Sequence, residues 1–118
     1  MEGSNLVVVG GRAGSGKSVA ARATALFTAE TLGGAVLWID PLGDVPRLYT
    51  ADGVPYDIEG LRPETRELSA DDFVERAKGK ALVVIDHFQD DAGTLVAEAR
   101  KLADAAGVRG LVVANDRR

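Results

Sequence analysis

The chain contains no cysteine, which excludes disulfides, thiolate metal sites and a cysteine nucleophile. Its only histidine, His87, cannot build a histidine metal cluster. Aromatic residues make up just 5% of the sequence, so the core has to be assembled from aliphatic layers. Apolar runs last only a few residues, far short of the roughly 20 that a membrane-spanning helix needs. Nothing reads as a signal peptide, and the expected setting is cytoplasmic, with no membrane partner. Positive charge is the minority sign, with 14 Lys and Arg against 18 Asp and Glu, a net charge of −4. That balance argues against broad, non-specific nucleic-acid binding. Two small basic clusters, Arg62 with Arg66 and Arg109 with Arg117 and Arg118, read as solvated surface charge. Proline is absent outside one stretch: Pro41, Pro46, Pro55 and Pro63 are the only four.

With 118 residues, 46% of them apolar and 27% charged, the composition is that of one globular domain covering 1–118. Its most informative stretch is Gly11-Arg12-Ala13-Gly14-Ser15-Gly16-Lys17-Ser18, which fits G-x-x-x-x-G-K-[ST] at every fixed position. The apolar, β-branched Leu6-Val7-Val8-Val9 before it reads as a buried parallel strand. After it, Val19, Ala23, Leu26 and Phe27 recur at helical spacing. This chemistry needs these residue types. Glycines let successive backbone N–H groups converge on phosphate oxygens, and the helix N-terminus directs its partial positive charge at the same anion. Lys17 is then expected to reach the β and γ phosphates, and the Ser18 hydroxyl to hold Mg²⁺. A dinucleotide-binding loop fits less well, because Val19 stands where its third glycine belongs. The expected ligand is a nucleoside phosphate, bound by Gly11, Arg12, Ala13, Gly14, Ser15, Gly16, Lys17, Ser18 and Val19.

Taken in order, the pattern predicts a strand over 6–10, the phosphate loop, and a helix over 17–32 stopped by Gly33-Gly34. A second buried strand over 35–39 ends at Asp40, which places that carboxylate near the phosphates. The proline-rich 41–64 segment reads as loops, with one helical turn around 47–51. A third strand falls at either 58–61 or 66–68. Ser69 has the character of an N-cap, with Asp71 and Asp72 opening a helix to about Lys78. Residues 81–85 form another buried strand delivering Asp86 at its tip. Such a carboxylate, paired with an upstream phosphate loop, makes a Walker B site that holds Mg²⁺. Leu95, Ala99, Leu102 and Ala106 mark an amphipathic helix ended by Gly107. A last strand over 111–114 brings Asn115 and Asp116 to the edge shared by the phosphate loop and Asp86.

These motifs together resemble the RecA-like P-loop ATPases, the group of the RecA recombinase and the DnaB-type helicases. Trp38-Ile39-Asp40 followed by Tyr49 resembles the segment in which a tyrosine stacks on adenine. Val84-Ile85-Asp86-His87-Phe88-Gln89 is similar to the DnaB Walker B stretch. Ala99-Arg100-Lys101-Leu102-Ala103 and Val112-Val113-Ala114-Asn115 look like the helix and sensor strand. The resemblance implies an α/β three-layer sandwich whose mostly parallel sheet has about five strands. Their implied order is third, second, Walker B, sensor, P-loop strand. It also implies ATP or ADP with Mg²⁺ as ligands, Ser18 and Asp86 at the metal, Tyr49 at the base, and Lys17, Asp86 and Asp40 as catalytic residues. The P-loop strand would lie at a sheet edge, open to self-association or a protein partner.

The departures shape the functional expectation. The position of RecA's catalytic glutamate is Leu42 here, and His87 rather than glutamate follows Asp86. Asp40, Asp44, His87 and Gln89 are the remaining candidates for activating water. Asp116 replaces the family's sensor glutamine, and an acid there would repel a γ-phosphate. The long DNA-contact loops are missing, which argues against DNA contact by this chain alone. The expected function is Mg²⁺-dependent ATP binding with weak or partner-dependent hydrolysis. The alternative is a non-hydrolysing, nucleotide-responsive module for a DNA recombination or replication partner.

Overall fold

The computed structural model describes residues 5–11, 17–40, 47–62, 71–89 and 94–116. Apolar runs form the strands β1 (Asn5–Gly11), β2 (Val36–Ile39), β3 (Ile58–Leu61), β4 (Leu82–Gln89) and β5 (Gly110–Asp116). Between them lie helices α1 (Lys17–Leu32), α2 (Asp71–Ala77) and α3 (Leu95–Ala106). The strands line up as β1-β5-β4-β2-β3, and every pairing is parallel. Parallel neighbours require crossover connections, and here those crossovers cover both faces of the sheet.

Strand alternation divides the core in two. Leu37, Ile39, Val83, Ile85, Leu111 and Val113 face α2 and α3, packing on Phe73, Ala77, Leu95, Ala99, Leu102 and Ala103. The intervening Val36, Trp38, Leu82, Val84 and Val112 face α1 through Ala25 and Ala29. The result is a helix, sheet, helix sandwich with both faces of β2, of β4 over 82–86 and of β5 over 110–113 buried. Such strands read as continuous apolar runs for this reason.

The apolar spacing predicts α1 with its observed bounds, and contact with the sheet decides which of its residues are covered. Ala25 and Ala29 are buried, whereas Ala23 is exposed and Phe27 is 70% exposed. Alanine lets the helix axis come close to the sheet, and the bulky Trp38 fills the remaining space from below. A phenylalanine on that stripe would hold the helix off. At its far end α1 is fastened by Arg109, whose Nη2 donates to the carbonyls of Leu32 (2.8 Å) and Gly33 (3.1 Å). A cation on the last carbonyls of a helix also complements its dipole. Arg109 is therefore a cap and not part of a loose surface cluster; Arg117 and Arg118 lie outside the described residues.

One of the two positions offered for the third strand is found, and one loop expectation is overturned. The third strand is 58–61, while 63–70, including the N-cap candidate Ser69, lies outside the described residues. Where a helical turn was expected near 47–51, the chain forms a small hairpin with Tyr49 bridged antiparallel to Pro55. Asp52-Gly53 decides this. Gly53 takes a positive φ of 81° and donates to the Thr50 carbonyl at 2.9 Å, while Thr50 N–H bonds the Val54 carbonyl. A type I turn closed by a left-handed glycine makes a three-residue hairpin loop. β4 also runs past its expected end at Asp86, to Gln89, because β5 continues beside it to Asp116.

β3 is held to the neighbouring helix by charge. Glu59 accepts from Arg76 (3.0 Å) and lies 3.2 Å from Lys80. These partners, Lys80 foremost, hold its carboxyl below the ordinary value. A lowered pKa contributes stability that is present above the ordinary value of 4.5 and is lost as pH falls through the folded one. Acid titration of unfolding in Glu59→Gln should show a shallower decline below pH about 4.5 than the parent. Equal slopes would mean that the pairs contribute nothing. For the helix facing, Ala25→Leu should cost about 1–3 kcal/mol in denaturant unfolding, and Phe27→Ser less than about 0.5 kcal/mol. The reverse ranking would show that α1 is rotated.

Candidate functional site

All strands are parallel, so their carboxyl ends meet at one edge. The C-terminus of α1 lies at the opposite edge, where Leu32 and Thr28 flank Gly110 at the start of β5. Its N-terminus therefore returns to the carboxyl edge. There Gly11 closes β1 and Lys17 opens α1, with the glycine-rich 12–16, outside the described residues, between them. Register sets three strand ends abreast: Gly11 of β1 opposite Asp116 of β5, and Asp116 opposite Gln89 of β4.

Beside them lie two carboxylates. Asp40 and Asp86 are both fully buried, an arrangement that costs several kcal/mol per ion unless compensated. Ile39 pairs with Ile85, so the two aspartates follow side by side on adjacent strands. By alternation each continues the face of Val36 and Trp38, or of Leu82 and Val84, which is the α1 face. The topology places a switch point here. The connection after β2 runs over the α1 face, where Leu48 and Tyr56 pack, whereas α3, which follows β4, packs on the other face. Adjacent strands whose connections leave to opposite faces define the switch point at which open α/β sheets bind ligands.

Asp86 is not at a simple strand tip. Between the pairs Ile85 with Val113 and Phe88 with Asn115, β4 has two residues, Asp86 and His87, where β5 has only Ala114. This is a bulge, rare in parallel pairing and a device for re-aiming a side chain. β2 stops at the same level, with Asp40 N–H donating to the Leu61 carbonyl at 3.0 Å. The bulge thus falls where β4 loses its neighbour on that side.

The structure brings together Gly11, the backbone of Lys17 and Ser18, Asp40 and Asp86. Val19 follows in the first turn of α1. Arg12, Ala13, Gly14, Ser15, Gly16, Leu42 and Asp44 lie outside the described residues. Tyr49 is kept elsewhere. Its hairpin partner Pro55 precedes Tyr56, whose hydroxyl bonds Glu30 near the end of α1. That is about 20 Å of helix away from Lys17, so adenine stacking by Tyr49 has no support in this placement. Desolvation, with Glu30 adding to it, raises the Tyr56 hydroxyl above its ordinary value.

The donor set suits a hard cation. Among the described residues no three His, Cys, Asp or Glu side chains gather as a metal cage. Mg²⁺ seldom needs one, being held by one or two carboxylates together with substrate phosphates. One residue escaped the sequence reading. Arg22 lies on the stripe of α1 that carries Ala25 and Ala29, and its Nε is buried. The signal was a basic residue three positions before a buried alanine, visible only once the facing of the helix is known.

No known family model matches the chain, and no curated protein is detectably similar to it. The sole tryptophan, Trp38, is a built-in probe of this edge, fully buried two residues before Asp40. Its emission should be blue-shifted and poorly quenched by acrylamide. Free quenching would show that α1 does not cover β2.

Proposed function

We propose that this domain binds ATP together with Mg²⁺ and hydrolyses it weakly or only with a partner. One observation carries the reading. A strand ending at Gly11 and a helix starting at Lys17 frame the phosphate-loop motif, and two buried carboxylates share their edge and face. The strand order β3-β2-β4-β5-β1 is also the one that the RecA-like resemblance implies. In this reading Lys17 reaches the β and γ phosphates, and Ser18 and Asp86 hold the metal. Bound Mg²⁺ would neutralise charge on the transferring phosphoryl group. Asp40 is the nearest carboxylate able to orient water. Because among the described residues β1 pairs only with β5, its outer edge would accept a strand from a second copy or another protein.

A second reading, a nucleotide-responsive module without turnover, is favoured by one register position. Asp116 lies opposite Gly11, at the root of the phosphate loop, where a negative charge disfavours a γ-phosphate. The partner would be a protein of DNA recombination or replication.

Calorimetric titration with ATP, with and without Mg²⁺, tests the common part. Lys17→Ala should weaken binding on the order of tenfold or more, the worth of one charge-assisted contact. Asp86→Asn should abolish the Mg²⁺ dependence. Absence of binding by the unaltered protein would overturn both readings. Phosphate release then separates them, slow turnover supporting the first and none the second.

A further inference from the structure

α1 differs from the other two helices on its solvent side. α3 is buried through Leu95, Ala99, Leu102 and Ala103, and its exposed positions include Arg100, Lys101 and Asp104. α2 likewise exposes Asp71, Asp72, Glu75 and Arg76. That is the ordinary division of a surface helix, apolar within and charged without. α1 does not follow it. On the side turned away from Ala25 and Ala29 lie Ala20, Ala23, Thr24, Phe27 and Thr31, none of them charged. Phe27 is central and 70% exposed, and the Thr31 hydroxyl is already engaged, donating to the Phe27 carbonyl at 3.0 Å. Ala20, Thr24, Phe27 and Thr31 follow the alternating four and three residue steps of a helix-pairing seam. From Ala20 to Gly34 the only charges are Arg22, half-buried, and Glu30, which accepts from the Tyr56 hydroxyl.

That hydroxyl ties the 48–56 hairpin to α1 and extends the same surface. Among the described residues the exposed large apolar side chains are Phe27, Tyr49 and Val54, and all three belong to this layer. Exposed apolar side chains gathered in this way mark an interaction surface, and a helix uncharged on both sides is of the kind that is covered on both.

We propose that a second copy of this chain covers the face, the two α1 helices packing antiparallel about a two-fold axis. Three features favour a copy over a different protein. The face holds both halves of the fit: Phe27 is the one large group, and Ala23 and Ala20 are small positions one and two turns away. Each copy's Phe27 then seats over the other's alanines, the self-complementarity that a two-fold interface requires. Charge is the second feature. The chain carries a net −4, so copies repel over most of their surface, and least where the face is uncharged. Size is the third. The 16 residues of α1 span about 24 Å, and with the hairpin alongside they give a surface of the order that a standard interface takes from each partner, roughly 800 Å². Antiparallel packing also opposes the helix dipoles. It sends the two Lys17 ends in opposite directions, so each copy keeps an edge built from its own residues. The pairing is independent of the nucleotide reading and of the β1 edge.

Sedimentation of the parent, Phe27→Leu and Phe27→Glu from micromolar to millimolar concentration tests it. The parent should pass from monomer to dimer and Phe27→Leu should follow it. Phe27→Glu should weaken dimerisation on the order of tenfold or more, as loss of a central aromatic anchor does. Because Phe27 is largely exposed, Phe27→Glu should keep the parent's Tm in dilute solution, where both are monomers. The chain has no cysteine, which allows a second readout. A short bis-maleimide should join two copies of Ala23→Cys far more readily than two copies of Ala105→Cys, on the exposed side of α3. A parent that stays monomeric throughout would assign the face to a different protein and overturn the self-pairing. A dimer that Phe27→Glu leaves intact, or that Ala105→Cys joins as readily as Ala23→Cys, would lie elsewhere on the molecule and overturn it equally.

Discussion

The close seating of α1 on the sheet is the contact on which the rest depends. Ala25 and Ala29 meet Trp38, Val84 and Val112 with little between helix and strands. Small side chains above and one large ring below produce an interface that a single added methylene group would disturb. Because α1 starts where β1 ends, this interface also fixes where the N–H groups of the first helical turn converge. Packing in the middle of the sheet and charge at its edge are thus one arrangement.

Against this frame stands the cost of the edge itself. Asp40 and Asp86 occupy positions that elsewhere on these strands hold Trp, Val and Leu, and both are fully buried. Apolar residues there would fold the domain at least as well. The proposed ligand site rests on polar groups retained under such conditions, since sites of that kind exchange stability for chemistry. The two carboxylates sit at the switch point between β2 and β4, with Leu48 and Tyr56 packed on one face and α3 on the other.

Much of this was legible in the residues. Unbroken Val, Leu and Ile runs announced strands buried on both faces, and the glycine and lysine spacing announced the strand-to-helix turn. Leu95, Ala99 and Leu102 gave α3 and its buried side, ended by Gly107. The facing of α1 was not legible, because its apolar residues are spread around the helix and only the sheet decides which of them are covered. Nor was the hairpin at 49–55, since local helical preference yielded to the Asp52-Gly53 turn. Pairing partners decide where strands stop, so β4 could not be seen to continue past Asp86 until β5 was placed beside it. Arg109 looked like ordinary surface charge for a similar reason: the Leu32 and Gly33 carbonyls that it meets are far away along the chain.

The bulge at Asp86 and His87 gives β4 a single point of tolerance. In a strand buried on both faces, loss or gain of one residue inverts every side chain beyond the change and moves apolar groups out of the core. At the bulge two residues already share one rung of the ladder, so the outer segment 88–89 can change length relative to 82–85 without disturbing the inner packing. The inner half answers to the core and the outer half to whatever occupies the edge. Variation between related chains would be absorbed at this joint, where the Phe88 and Gln89 segment could diverge while the strand that carries Asp86 stays as it is.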